Sequence, residues 1–162
     1  MTDMNFGQAI QEIGSIFKHL RASNPTRKLG ITGFCLGGAL SLAVAIAAES
    51  KPNACAPFYG IPDGKYFDVA TITVPVLGQF GDKDTHTGFA DLASALALGE
   101  NLKKAGVDHE VRIVPDQGHG FMNENDWYTE YRKNKNIPPF NKDTVEEAYT
   151  KLFEFFDKHL KH

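Results

Sequence analysis

Gly33-Phe34-Cys35-Leu36-Gly37-Gly38 is the stretch from which the rest of the chain is read. An apolar, strand-like run at 28–33 precedes it, and a helical run of small residues at 39–48 follows at once. A strand turning sharply into a helix, with a nucleophile at its tip, is the layout of a nucleophile elbow, G-x-S-x-G, here with cysteine for serine. The glycines have a steric reason. The central residue is held in a strained backbone conformation, and side chains two positions either side would collide where strand and helix nearly touch. Gly33 and Gly37 are expected to fill those positions. A thiol on this turn sits at a helix N-terminus, whose unpaired N–H groups favour the reactive thiolate. Two other readings exist. One is a glycine-rich turn with a buried, inert cysteine. The other, a phosphate-cradling loop, fits badly, because the glycines fall at positions 1, 5 and 6 and no Gly-Lys-Ser/Thr follows.

With 162 residues the chain has room for a real core in one domain, 1–162, and not comfortably for two. Its formal charge of −3 is small and the signs are interspersed. With no basic stripe and no polybasic cluster, neither a nucleic-acid partner nor a membrane surface is expected. The longest apolar run, 39–48, is too short to span a bilayer. Only Cys35 and Cys55 are present and the start has no leader-like segment. A disulfide framework is therefore not expected, and a reducing, cytoplasmic setting is.

Along the chain, Phe6, Ile10, Ile13, Phe17 and Leu20, with Ile16 beside them, predict an amphipathic helix over about 5–22. The elbow strand and its helix follow, the helix running to about Ser50. A second strand, 54–59, contains Pro57, which weakens the strand reading there. A third, 74–80, ends in Gly81-Asp82-Lys83-Asp84, and a helix over about 88–105 is stopped by Gly106. The fourth, 109–114, opens into Asp116-Gln117-Gly118-His119-Gly120-Phe121. Residues 122–142 read as irregular and aromatic-rich, either a lid or a loop anchored by its rings. A last helix begins near Asp143, where Thr144 and Glu147 have capping-box spacing. Strands alternating with helices imply a parallel sheet with helices on its faces, a three-layer α/β arrangement of about four strands.

In such sheets ligands bind beyond the carboxyl ends of the strands, where Cys35, Asp84 and His119 all fall. They come in the order nucleophile, acid, histidine, as in α/β-hydrolases. His119 could reach the thiol with one ring nitrogen and a carboxylate with the other, though a solvated loop histidine is the simpler alternative. Of the competing histidines (19, 86, 109, 159 and 162), only His86 lies near this edge. Asp84 is preferred over Asp82, which follows Gly81 directly and is placed to shape the turn.

Gly-Phe-Cys-Leu-Gly-Gly, Phe58-Tyr59-Gly60, Gly81-Asp82-Lys83-Asp84 and Gly118-His119-Gly120-Phe121, in this order and spacing, resemble the signature segments of the dienelactone hydrolase family. The resemblance covers nearly the whole chain. It implies the C-terminal part of an α/β-hydrolase fold and a Cys-Asp-His triad that opens lactones and cleaves esters through an acyl-enzyme. Carried over by position, Cys35 is the nucleophile, His119 the base and then acid, and Asp84 its orienter. The N–H of Leu36 becomes one oxyanion donor. Tyr59 matches a pocket-lining tyrosine, and Phe34 and Phe121 complete the candidate substrate-binding set. No metal or cofactor is implied.

The resembling part begins at the helix before the nucleophile strand. The family's first strands, and the loop that gives a second oxyanion donor, have no counterpart in this sequence. An arginine four residues after the histidine in dienelactone-specific members is Asn123 here. The nucleophile strand is then expected to be an exposed apolar edge that pairs with a second copy or a partner chain. Two functions follow. One is a hydrolase of a small ester, lactone or thioester; the other is a catalytically impaired half-hydrolase serving as a binding or assembly module, or a truncated gene product. A redox-reactive cysteine is a third reading, with no resolving partner nearby.

Overall fold

The computed structural model describes residues 5–161. Helix α1 spans Phe6–Ser23, and its N-cap Asn5 accepts a hydrogen bond from the N–H of Gln8. Strand β1 (Gly30–Phe34) runs into α2 (Leu36–Ala47), then β2 (Ala54–Phe58), a 3-10 turn (Val69–Thr71) and β3 (Val76–Gly81). Helix α3 (Leu92–Ala105), β4 (His109–Val114), α4 (Asp126–Asn134) and α5 (Lys142–Leu160) complete the order. All strand pairs are parallel in the sequential order β1-β2-β3-β4.

Right-handed crossovers between successive parallel strands put the connecting helices on one face. Side-chain contacts agree. Cys55 on β2 approaches Ser41 of α2, its register partner on β3 is Val76, and Gly78 on the same face lies against Leu98 of α3. The next residue, Gln79, points the other way and donates to the carbonyl of Ala148 on α5 at 3.0 Å. Gln79 is buried, and its oxygen accepts from Arg112 at 2.8 Å, which in turn pairs with Glu147 of α5. A satisfied polar chain thus fixes α5 on the sheet.

Helix α2 is apolar on nearly every side because it is covered twice, by the sheet and by α1. Ile10 and Phe17 of α1 pack on Ala43, Val44 and Ala48. Leu20 and Ile16, expected on or beside the buried face of α1, are 39% and 57% exposed, so the face that packs is narrower than the periodicity implied.

Pro57 does not break its strand: it lies within β2, between β1 and β3. The N–H groups of Cys55 and Tyr59 donate to β3, at the carbonyls of Pro75 and Gln79. By alternation the proline nitrogen faces the same side, where it forgoes one rung of the ladder. Strand β1 forms an edge, with Thr32 and Phe34 exposed while β2 and β3 are buried throughout.

Three boundaries differ from expectation. Helix α3 starts at Leu92, not near Gly88, because the Asp91 carboxylate binds the N–H of Gly88 and the Ser94 hydroxyl and holds 88–91 as a turn. Helix α5 is capped by Asn141, whose side chain accepts from the N–H of Thr144 at 3.1 Å, so Thr144 is inside the helix. The segment 122–142 is not irregular throughout, since it contains α4.

Candidate active site

Register brings the ends of the strands level: Phe34 pairs with Phe58, Phe58 with Gln79, and Gly81 with Val114. Whatever follows each strand therefore emerges at one rim. Cys35 follows β1 with φ 55° and ψ −121°, a conformation unfavourable for any residue with a side chain. Three backbone bonds hold it there. Its N–H donates to the Phe58 carbonyl at 3.0 Å, and its carbonyl accepts from Gly38 and Ala39 at 2.9 and 3.1 Å.

A Cβ on Gly33 would run into the Gly37 carbonyl, one on Gly38 would lie 2.5 Å from the Phe58 oxygen, and one on Gly60 would run into the Cys35 carbonyl. A Cβ on Gly37, by contrast, would meet nothing within 4 Å. The steric role expected of Gly37 therefore belongs to Gly38 and Gly60. What Gly37 contributes is its backbone carbonyl, against which Gly33 packs.

Cys35 Sγ lies 3.0 Å from Nε2 of His119, and Nδ1 of His119 lies 2.7 Å from Oδ2 of Asp84. The Asp84 side chain is fully buried. Asp82 is instead occupied with the backbone, accepting from the N–H of Gln117 at 3.3 Å and pairing with Lys83. It stitches the Asp loop to the His loop, while Asp84 reaches the imidazole. His86 donates to the other oxygen of Asp84, from Nδ1 at 2.8 Å and from its backbone N–H at 3.0 Å.

The hydrogen bond from His119 holds the Cys35 thiol below its usual range, against the opposing effect of burial and with help from the His119 charge and the Leu36 N–H. Burial alone would depress His119. Its hydrogen bonds to Asp84 and Cys35 outweigh that and raise it to about 9. Burial likewise works against ionisation of Asp84, but its bonds from His119 and His86 keep the carboxyl below the ordinary value. The directions agree: each shift favours the charged form, thiolate, imidazolium and carboxylate. Cys55 is the opposite case, pushed up to about 12 by burial and only partly relieved by Ser41. It is a core thiol.

A cleft of about 380 Å³ opens over the Cys35–His119 pair, walled by Phe34, Tyr59, Met122, Tyr128 and Tyr149 with Asn123 among them. Tyr59, at φ 36°, sets its ring edge-on to His119 at 5.2 Å. Phe121 does not reach the cleft. It is 1% exposed and packs under Tyr59 and Phe58, which corrects its expected place in the substrate-binding set. Its neighbour Gly120 takes φ 64° and turns the chain so that the phenylalanine faces inward. Asp84, His86 and His119 each offer an atom within 4.8 Å of the others. A cation entering there would have to displace both imidazole protons from Asp84.

Two features of the site lay outside the sequence reading. Helix α4 secures the histidine loop, with the Tyr128 hydroxyl donating to the His119 carbonyl at 2.6 Å. Arg132, 2% exposed, donates to the carbonyls of Gly120 and Asn123 and lies over the Tyr128 ring. Trp127, by contrast, is 72% exposed. Of the competing histidines, His19 and His109 sit on α1 and β4 and His159 on α5, while His162 lies outside the described residues.

A model of the dienelactone hydrolase family matches residues 4–160. The chain belongs to the dienelactone hydrolase family. Among curated relatives, protein usf of Aquifex pyrophilus is 33% identical over 131 residues, covering 76% of this chain and 54% of its own length. A carboxymethylenebutenolidase homolog of Xenopus tropicalis is 30% identical over 154 residues, covering 93% and 56%. The crystal structure of MGS-M1, an α/β-hydrolase enzyme from a Medee basin deep-sea metagenome library, superposes with a TM-score of 0.68 at 21% identity, over 93% of this chain and 64% of that one. The chain thus spans about half the length of the curated relatives it matches. The fold is the α/β-hydrolase-like three-layer arrangement expected from the sequence. Among the described residues, no helix is long and apolar enough to cross a membrane.

Proposed function

We propose that this member of the dienelactone hydrolase family is a carboxylic ester hydrolase that uses Cys35, His119 and Asp84 to cleave a small ester, lactone or thioester. The observation that carries the reading is the continuous chain of bonds at the cleft floor, 2.7 Å from Asp84 to His119 and 3.0 Å from His119 to Cys35. The Cys35 thiolate attacks the carbonyl carbon, and the C=O π pair moves onto oxygen to give a tetrahedral oxyanion, towards which the N–H of Leu36 donates. Collapse breaks the bond to the leaving group, and the proton on Nε2 of His119 passes to the departing oxygen or sulfur. In a lactone the departing oxygen remains tethered to the acyl group. His119, now neutral, takes a proton from water. The hydroxide adds to the acyl-cysteine, the C–S bond breaks, and the thiolate–imidazolium pair is restored. Asp84 fixes the ring and balances its charge throughout.

The small apolar cleft fits a compact acyl group, with Phe34 and Tyr59 beside the sulfur. A reducing, cytoplasmic setting suits a nucleophile that must stay a free thiolate. Residues 1–162 act as one domain in this reading. The exposed edge of β1 is open to a further strand, from a second copy or a partner chain, and light scattering behind size exclusion would detect that pairing. Hydrolysis of an activated aryl ester by wild type and by Cys35→Ala is the direct test, with mass spectrometry of the protein during turnover. A transient acyl adduct on Cys35 and loss of turnover in the variant are expected. Equal rates would remove Cys35 from the reaction. No turnover at all, with the thiol intact, would favour a binding or assembly module.

A further inference from the structure

We propose that His86 is a positioning residue of the triad: with ring and backbone together it holds one oxygen of Asp84 so that the other stays on His119. This rests on the reading of Cys35, His119 and Asp84 as the working triad. The N–H of His86, two residues after Asp84, donates to Oδ1 at 3.0 Å, which is the geometry of an Asx turn. The imidazole of the same residue then folds back and donates to the same oxygen from Nδ1 at 2.8 Å. One residue supplies two donors to Oδ1, and Oδ2 is left to His119 at 2.7 Å. A carboxylate bound on one oxygen only is free to rotate about its last bond. Bound on both, it is not.

The ring of His86 also covers the site. Its centroid lies 4.1 Å from that of His119, inclined by 39°, so one face of the catalytic imidazole is closed by His86 while Tyr59 stands edge-on at 5.2 Å. The His86 side chain is 44% exposed and that of Asp84 0%, which places His86 between the carboxylate and solvent. The ionisable groups that face it are Asp84 and His119. Asp91 meets it only through the backbone, its N–H donating to the His86 carbonyl.

Removing the imidazole has two opposing effects. The carboxylate, with one donor fewer, has more charge to offer His119. Its hold on Oδ1 is also reduced to the backbone N–H of residue 86, so its orientation loosens, and where the cover is lost too, water admitted beside a buried ion pair weakens the pair. The second effect prevails through orientation: a carboxylate that can turn away from Nδ1 of His119 gives up the 2.7 Å bond, and the charge it gains cannot reach a ring it no longer meets squarely. His119 then holds its proton less firmly, and less of Cys35 is thiolate at neutral pH.

Alkylation of Cys35 by iodoacetamide from about pH 5 to about pH 10 reads the thiolate without needing a substrate. Wild type is compared with His86→Asn, whose amide can replace the Nδ1 donor, and with His86→Leu, of similar shape but without one. All are measured in the presence of a chelator, with Cys35→Ala as the blank. On the acid side of both thiol ionisations, His86→Leu is expected to react about tenfold more slowly than wild type, one unit in the apparent thiol pKa. His86→Asn should stay within about threefold of wild type, since the donor is kept. Above the ordinary thiol range all three should converge. A leucine variant that matches or exceeds wild type on that acid side overturns the inference. So does one slowed by the same factor at every pH, which would mark a merely structural change. Should His86→Leu fail to fold, His86→Ala carries the same comparison. A wild-type thiol with an ordinary profile would instead overturn the triad reading itself.

Discussion

The backbone of Cys35 makes a prediction that separates strain from chemistry. Its φ of 55° with ψ −121° is a conformation in which any side chain is unfavourable, at about 1–3 kcal/mol. Comparing Cys35→Gly with Cys35→Ala removes the thiol from both, so the bond to His119 and the ion pair cancel. What remains is one Cβ in a strained turn. At an ordinary position alanine is the more stable of the two by about 0.5–1 kcal/mol, because glycine loses more freedom on folding. Here the strain reverses the order. Subtracting that entropy from the strain leaves glycine ahead by roughly 1 kcal/mol. For a chain of this size that is about 2–4 °C in Tm. Urea unfolding of both variants, with m unchanged, should give the higher midpoint to Cys35→Gly. An alanine variant as stable as the glycine variant, or more so, would refute the claim that the turn is strained and held by its three backbone bonds.

Four further outcomes are expected. Asp84→Asn should lower turnover of an activated ester by about a hundredfold or more, towards the ten-thousandfold loss known for a triad whose histidine loses its carboxylate, while Asp82→Asn, whose carboxylate serves Gln117 and Lys83, should keep turnover within about threefold; steady-state kinetics distinguish them. The pH profile of kcat/KM should be a bell: activity rises with pH through a Cys35 ionisation below the ordinary thiol value, and it falls near about 9 as His119 loses the proton it must give to the leaving group. Linkage gives the His119 contribution to stability the same sign: raised from 6.5 to about 9, it is complete below the lower value and lost as pH rises through the upper one, while the lowered Cys35 thiol contributes the opposite slope, so urea midpoints across that window should change less than His119 alone would give. Tyr128→Phe should leave the His119 carbonyl without its 2.6 Å donor and cost about 1–2 kcal/mol, seen as a lower Tm, and should reduce kcat more than it alters KM.

Much of the architecture was legible because its signals are local. Strand β4 has the bounds that its Val111 and Ile113 alternation implies, and Gly106 ends α3 at φ 70°. The order of Cys35, Asp84 and His119 along the chain, each after a strand, was enough to bring them to one rim once the strands were parallel. Helix α4 was not legible for a physical reason. Its buried face consists of Tyr128 and Arg132, and a buried arginine is invisible to any search for apolar period. Phe121 could not be distinguished from Phe34 by type, since each lies beside a residue of the candidate site or its loop. A positive φ at Gly120 turns one inward, while the edge position of β1 leaves the other facing the cleft. His86 stood near the correct edge, but its bond to Asp84 depends on the ring folding back through an Asx turn. The glycine pattern was half right: Gly33 was correctly read, and Gly38 and Gly60 matter where Gly37 had been expected to.

Those three glycines come from a strand, a helix and the loop after the neighbouring strand, and each leaves room for a backbone carbonyl, that of Gly37, Phe58 and Cys35 in turn. The sulfur is positioned by atoms that are missing, as a key is cut. No side chain at these sites fits without moving backbone, so change in this corner falls on Phe34, whose side chain walls the cleft between the fixed points. A lineage could reshape what the sulfur meets many times over without ever moving the sulfur.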